Sequence, residues 1–165
     1  MTKRGYTLTE LLIAIGVVAV VLAGSAVAIN MARSKQRDAV RLSHVRQMQT
    51  ALENYFSETS SYPLGDSLPL GDATVSACLS TSGFLADCTG EEAIILRTVM
   101  STVSAGLDEK GQCGTPLRNA FCYSQVDSGQ DYRIEFELEN SWAQAGLIKG
   151  INCAQADGIE AGPCR

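Results

Sequence analysis

The sequence predicts an α+β fold: one long N-terminal α-helix packed on a small antiparallel β-sheet head that disulfides staple together. Three observations carry that reading. No proline occurs between Leu8 and Thr59, and the apolar residues there run first without an intervening charge and then at three- and four-residue steps, the period of a helix. Residues 132–139 alternate apolar and charged side chains, the period of a strand with one buried and one wet face. Six cysteines, Cys78, Cys88, Cys113, Cys122, Cys153 and Cys164, all follow the apolar run, and none forms a CxxC pair.

The 165 residues suffice for one small head and a helical extension. Between Glu10 and Arg33 the chain carries no charge. As a helix this run is roughly 33 Å long, close to the thickness of the hydrocarbon core of a bilayer. The net charge of -5 is uneven: residues 61–165 hold six basic and fourteen acidic groups, so the head is acidic. That argues against general affinity for nucleic-acid backbones, which need a basic footprint. An even cysteine count, wide spacing and an apolar leader favour disulfides in an oxidising compartment over a zinc site.

The N-terminus supports two readings. By composition it is a secretory signal: MTKR as a basic start, LLIAIGVVAVVLAG as the apolar region, and Ala26-Val27-Ala28 as a cleavage site ahead of Ile29. The mature protein is then a soluble, secreted, disulfide-rich binding domain. By order of residues, Gly5 is followed by Tyr6, then Thr7-Leu8-Thr9-Glu10-Leu11-Leu12. This basic leader, glycine, aromatic and T-L-x-E-L-L run resembles the N-terminal signal of type IV pilins and type II secretion pseudopilins. Tyr6 stands where phenylalanine is commonest in that family, and Thr9 where an aliphatic residue is.

The resemblance implies cleavage by prepilin peptidase between Gly5 and Tyr6, N-methylation of Tyr6 by the same enzyme, and Glu10 as the acid of filament assembly. It implies a single-pass protein of the inner membrane with its head outside the cytoplasm, later a periplasmic or extracellular filament. Its partners are then copies of itself or other pilins, the inner-membrane platform protein and, indirectly, the assembly ATPase. The divisions expected are a leader over 1–5, a membrane and assembly helix over 6–32, the amphipathic half of that helix over 33–60, and a head over 61–165. Taken alone, the positive-inside rule would put the head in the cytoplasm, since Arg33, Lys35, Arg37, Arg41 and Arg46 outnumber Lys3 and Arg4. The cysteines oppose this and carry more weight, because those charges belong to a helix on which some can pair locally, as Asp38 can with Arg41 at i, i+3.

An ionised carboxylate inside hydrocarbon costs at least about 2.5 kcal/mol on insertion scales, so Glu10 requires a partner. Cleavage after Gly5 would supply one, a positive amine at Tyr6 four residues away and within reach of neighbouring copies. In the family, the acid of an incoming subunit is thought to neutralise the amine of one already in the filament. The local alternative is an interfacial glutamate at the helix start, where a negative charge suits the helix dipole.

Beyond the apolar run, Leu42, Val45, Met48, Leu52, Tyr55 and Phe56 mark one helical face that needs a partner. The helix is predicted from about Thr7 to about Thr59, on the order of 80 Å. Ser60-Ser61-Tyr62-Pro63 ends it, because proline holds its predecessor away from helix. Ala51-Leu52, Tyr55 and Tyr62-Pro63 also resemble the end of the long helix in pseudopilins.

In the head, residues 64–72 read as a loop. Thr89-Gly90-Glu91-Glu92 fits a capping box opening a short helix through Leu96, Met100 and Val103 to Gly106. Residues 121–126 and 132–139 form an antiparallel hairpin, with a third strand near residues 143–151. Six cysteines allow fifteen pairings, and the sequence does not choose among them. The sequential arrangement, Cys78 with Cys88, Cys113 with Cys122 and Cys153 with Cys164, is expected, each bridge contributing about 2 to 3 kcal/mol in the chain-entropy model. The last resembles the C-terminal disulfide loop of many pilins.

No catalytic constellation emerges. His44 stands alone on the helix and reads as a surface histidine. No nucleophile elbow, phosphate loop, dinucleotide fingerprint or H-E-x-x-H is present. Asp127 with Asp131, or Asp157 with Glu160, lacks the ligand order of a calcium site. The expected function is a structural filament subunit without cofactor or metal, with the secreted domain as the alternative.

Overall fold

The computed structural model describes residues 7–165. Helix α1 spans Leu8–Thr59 and has Thr7 as its N-cap. The left-handed Ser60 (φ 61°, ψ 18°) ends it, donating its N–H to the Phe56 carbonyl at 2.7 Å. The Tyr62-Pro63 corner is then locked to the head. Tyr62 N–H donates to Gly129 O at 2.8 Å, Tyr123 Oη donates to Pro63 O at 2.6 Å, and Gln125 Nε2 donates to Tyr62 O at 2.6 Å.

Ten short strands follow: β1 (Leu68–Pro69), β2 (Cys78–Ser80), β3 (Gly83–Leu85), β4 (Ile94–Leu96), β5 (Gln112–Cys113), β6 (Arg118–Asn119), β7 (Cys122–Val126), β8 (Asp131–Leu138), β9 (Gly150–Gln155) and β10 (Gly158–Ala161). The main sheet is antiparallel, in the order β1-β7-β8-β9-β10. A second sheet runs β3-β2-β4, and β5 pairs with β6. Disulfides join Cys78 to Cys88, Cys113 to Cys122 and Cys153 to Cys164.

The core lies between the second half of α1 and the main sheet. Val45, Met48, Ala51, Leu52 and Tyr55 from the helix meet Tyr123, Tyr132, Ile134, Phe136, Leu138 and Ala154 from the sheet, all buried. Burial of each large apolar side chain contributes about 1.5 to 3 kcal/mol. Leu42 and Phe56 pack at the margin. An aromatic row ties helix end to sheet: Phe56 against Tyr62 at 4.8 Å, Tyr62 edge-on to Tyr132 at 4.7 Å, and Phe84 edge-on to Tyr123 at 5.1 Å. Desolvation raises the Tyr123 and Tyr132 hydroxyls well above the ordinary tyrosine range, so both stay neutral.

The structure corrects four expectations about the head. The helix after Thr89 is absent. The Thr89 N–H and hydroxyl both donate to Asp87 Oδ1, at 2.8 and 2.6 Å, in a local turn, and residues 94–96 instead form β4 beside β2. The Cys78–Cys88 bridge holds this segment next to the open edge of β2, and β-branched Ile94 and Ile95 suit a strand there. The third strand of the hairpin is β9, which starts at Gly150. Residues 142–147 form a closed loop instead, because Trp142 and Leu147 exchange two backbone hydrogen bonds of 2.9 and 3.1 Å. Residues 64–72 contain the two-residue strand β1 within the loop.

The fourth correction concerns the face of β8 expected to be wet. Glu137 is only 2% exposed. Its carboxylate accepts from the backbone N–H groups of Asp108, Lys110 and Gly111 and from Asn119 Nδ2, at 2.7, 3.0, 3.4 and 2.7 Å. A charge-assisted hub of this kind satisfies donors that the covering loop cannot pair by itself.

Candidate functional site

The first half of α1 stands clear of the head. Its large apolar side chains are exposed, Leu12 at 61% and Leu22 at 65% among them, and the first stalk residue that the head buries completely is Asp38. The stalk is long and apolar enough to cross a membrane, by length and composition. It runs as unbroken helix through residues 26–28. Exposed leucines, isoleucines and valines on all sides of a helix require either lipid or other helices around them.

At its tip, Thr7 and Glu10 form a reciprocal capping box. Glu10 N–H donates to Thr7 Oγ1 at 3.3 Å, while the Thr7 N–H and hydroxyl both donate to Glu10 Oε2 at 3.0 Å. The carboxylate is thereby drawn back over the helix start, beside the backbone nitrogen of the residue that follows Tyr6. Gly5 and Tyr6 lie outside the described residues.

Where the stalk enters the head, Arg37, Asp38, Arg41 and Glu139 close into an electrically neutral clasp. Arg41 is completely buried and uses all five N–H donors: two to Val103 O at 2.8 and 2.5 Å, one to Ala105 O at 2.6 Å, one to Asp38 Oδ1 at 2.6 Å and one to Glu139 Oε1 at 2.8 Å. Asp38, also completely buried, accepts from Arg41, from the N–H groups of Glu139 and Asn140 at 2.9 Å each, and from Asn140 Nδ2 at 2.8 Å. Arg37 grips Glu139 with a two-pronged fork, at 2.7 and 2.6 Å. Gly106, at φ +81°, lies so close to the Glu139 carboxylate that any side chain there would collide with it. The i, i+3 spacing indicated the local Asp38–Arg41 pair, but not that the head buries it or that Glu139 joins it.

Hydrogen bonds from Arg37, then from Arg41, hold the Glu139 carboxyl below the ordinary glutamate range, against the opposing effect of burial. A depressed folded-state value means that the stabilisation is present above the unfolded value of about 4.3 and is lost as pH falls through the folded one. The urea midpoint of the full chain is therefore expected to drop between neutral pH and about pH 3, and Glu139→Gln is expected to flatten part of that acid limb.

His44 is half-buried rather than a surface residue. It lies edge-on to Phe121 with ring centres 6.3 Å apart, and its buried Nδ1 has no partner among the described residues. Burial lowers its pKa, with the Ser101 backbone opposing, so it is neutral at pH 7 and packs as an aromatic side chain. Among the described residues no group of three or more His, Cys, Asp or Glu side chains is placed to hold a metal ion. The arrangement is suited to packing and charge pairing.

Comparison with known proteins found one family model, described as the prokaryotic N-terminal methylation motif, matching residues 1–26. That motif is the type IV pilin and pseudopilin signal. No curated protein and no solved structure matched the chain.

Proposed function

We propose that the chain is the precursor of a structural subunit of a type IV pilus or type II secretion-like filament. The observation that carries this reading is the continuity of the methylation motif with a helix whose exposed apolar half has no partner in its own head. Prepilin peptidase removes residues 1–5 by cutting between Gly5 and Tyr6, and Tyr6 is methylated. Residues 6–32 span the inner membrane before assembly and form the filament core afterwards. Residues 33–60 carry the head, residues 61–165, outside the cytoplasm.

Glu10 then has two partners in succession. In the precursor it caps its own helix; after cleavage it neutralises the amine of Tyr6 on a neighbouring copy. In a dry helical bundle an unpaired charge is strongly penalised, so matching acid to amine sets the axial register between subunits. The subunit is structural rather than catalytic, and it needs no cofactor.

Intact-mass and N-terminal analysis of the protein purified from its own cells tests this. A methylated Tyr6 at the N-terminus is the expected result. An N-terminus at Ile29 would identify a secreted domain released after Ala28, and the filament reading would be abandoned.

A further inference from the structure

One part of the head lies beside the stalk close to the end of the apolar run. After Asn140 the chain forms the clipped loop 142–147, and a groove of about 280 Å³ is lined there by Lys35, Ser141, Trp142, Ala143 and Gln144. Leu147 roots the loop in the core, and Lys149 N–H is held by Ser141 Oγ at 3.1 Å, so the platform is fixed to the head. Trp142 is half-buried, packed against the core with its Nε1 turned inward and unpartnered among the described residues, and part of its carbon surface lines the groove. Exposed Ile148 follows it.

The height of this loop along the stalk decides what it meets. The charge-free run ends at Ala32, which places the edge of the hydrocarbon near that residue. Lys35 is three residues on, about 4.5 Å along the helix. The headgroup layer is roughly 5 to 8 Å thick on each side, so Lys35 and whatever touches it lie within it. Arg33 and Lys35 are exposed and make no ion pair among the described residues, and Lys149 makes only a 3.6 Å contact with Asp108. Lys35 beside the carbon edge of Trp142 sets a cation next to apolar surface at this depth, a pairing suited to the headgroup layer.

We propose that, while the subunit is stored in the membrane, loop 142–147 rests in a layer of anionic phospholipid headgroups, with Trp142 at its contact point and Arg33, Lys35 and Lys149 facing lipid phosphate. The inference rests on the membrane-spanning reading of the stalk. Extraction into a filament must then break this footing as well as withdraw the helix.

Trp142 is the only tryptophan in the chain, so its fluorescence reports the site directly. The full chain is placed at high dilution in vesicles of phosphatidylglycerol and phosphatidylcholine containing lipids brominated either near the headgroup or near the chain end. Shallow bromine is expected to reduce Trp142 emission by about half, with little effect from deep bromine. Lys35→Glu, or vesicles of phosphatidylcholine alone, should weaken that quenching. A stalk reporter, Val21→Trp in a Trp142→Phe background, separates the possible failures. If deep bromine quenches the stalk reporter while shallow bromine spares Trp142, the head stands off the bilayer and only this inference falls. If neither is quenched, the stalk does not span and both readings fall. Equal quenching in the two lipid mixtures overturns the anionic footing. Loss of the aqueous exposure of Trp142 only at high protein-to-lipid ratio assigns the groove to a second copy, and overturns it too.

Discussion

Replacing Glu10 with glutamine is expected to abolish filament formation while leaving the stalk helix capped and the protein stored in the membrane. Glutamine serves at the third helical position of a capping box nearly as well as glutamate, so the bonds to Thr7 survive the substitution. What is lost is the charge that would meet the amine of Tyr6. Glu10→Ala removes the charge together with the carboxylate half of the capping box, leaving only the bond from the residue-10 N–H to Thr7 Oγ1. If capping were the whole role of Glu10, the glutamine variant would assemble normally and only the alanine variant would be impaired. Counting filaments by electron microscopy, with membrane fractionation as the control for stored protein, distinguishes the two cases. Normal fibres from Glu10→Gln would remove the charge-matching mechanism.

The second large effect is expected at the clasp. Arg41→Met or Asp38→Ala should each destabilise the head by about 3 to 5 kcal/mol, because either change strands a buried partner whose other bonds cannot compensate. The double variant should lose clearly less than the sum, since the two residues belong to one network. Denaturant unfolding of the full chain measures both. Arg37, a third exposed and at the rim, should cost much less when replaced. The clasp also ties the end of β8 and the loop carbonyls of Val103 and Ala105 to the stalk at its point of exit. A weakened clasp therefore loosens the angle between head and stalk, and assembly should decline at temperatures where the head is still folded.

These two sites differ in how far they were legible from the sequence. The helix start at Thr7 and the acid at Glu10 are local, lying within four consecutive residues, although the reciprocal bonds between them appear only in the folded chain. The long helix, its stop at Tyr62-Pro63 and the alternation along β8 are likewise short-range consequences of residue period and turn chemistry, and they depend on little else. The cysteine number and placement pointed to disulfides for the same reason.

What the tertiary structure alone decided involves residues far apart in the chain. Arg37 and Glu139 are separated by 102 positions, and no pattern near either indicates that they meet. The burial of Glu137 depends on a covering loop 26 to 29 residues earlier, so an alternating strand that looked half-wet proved to be enclosed over part of its length. A capping-box signature at Thr89 lost to strand pairing because a disulfide held its neighbour beside an unpaired edge. Trp142 acquires its place next to Lys35 only when β8 has packed on α1. The local code sets which segments are helix or strand; the choice among competing partners for each charge, edge and aromatic ring waits for the packed chain, where desolvation penalises every group left unmatched.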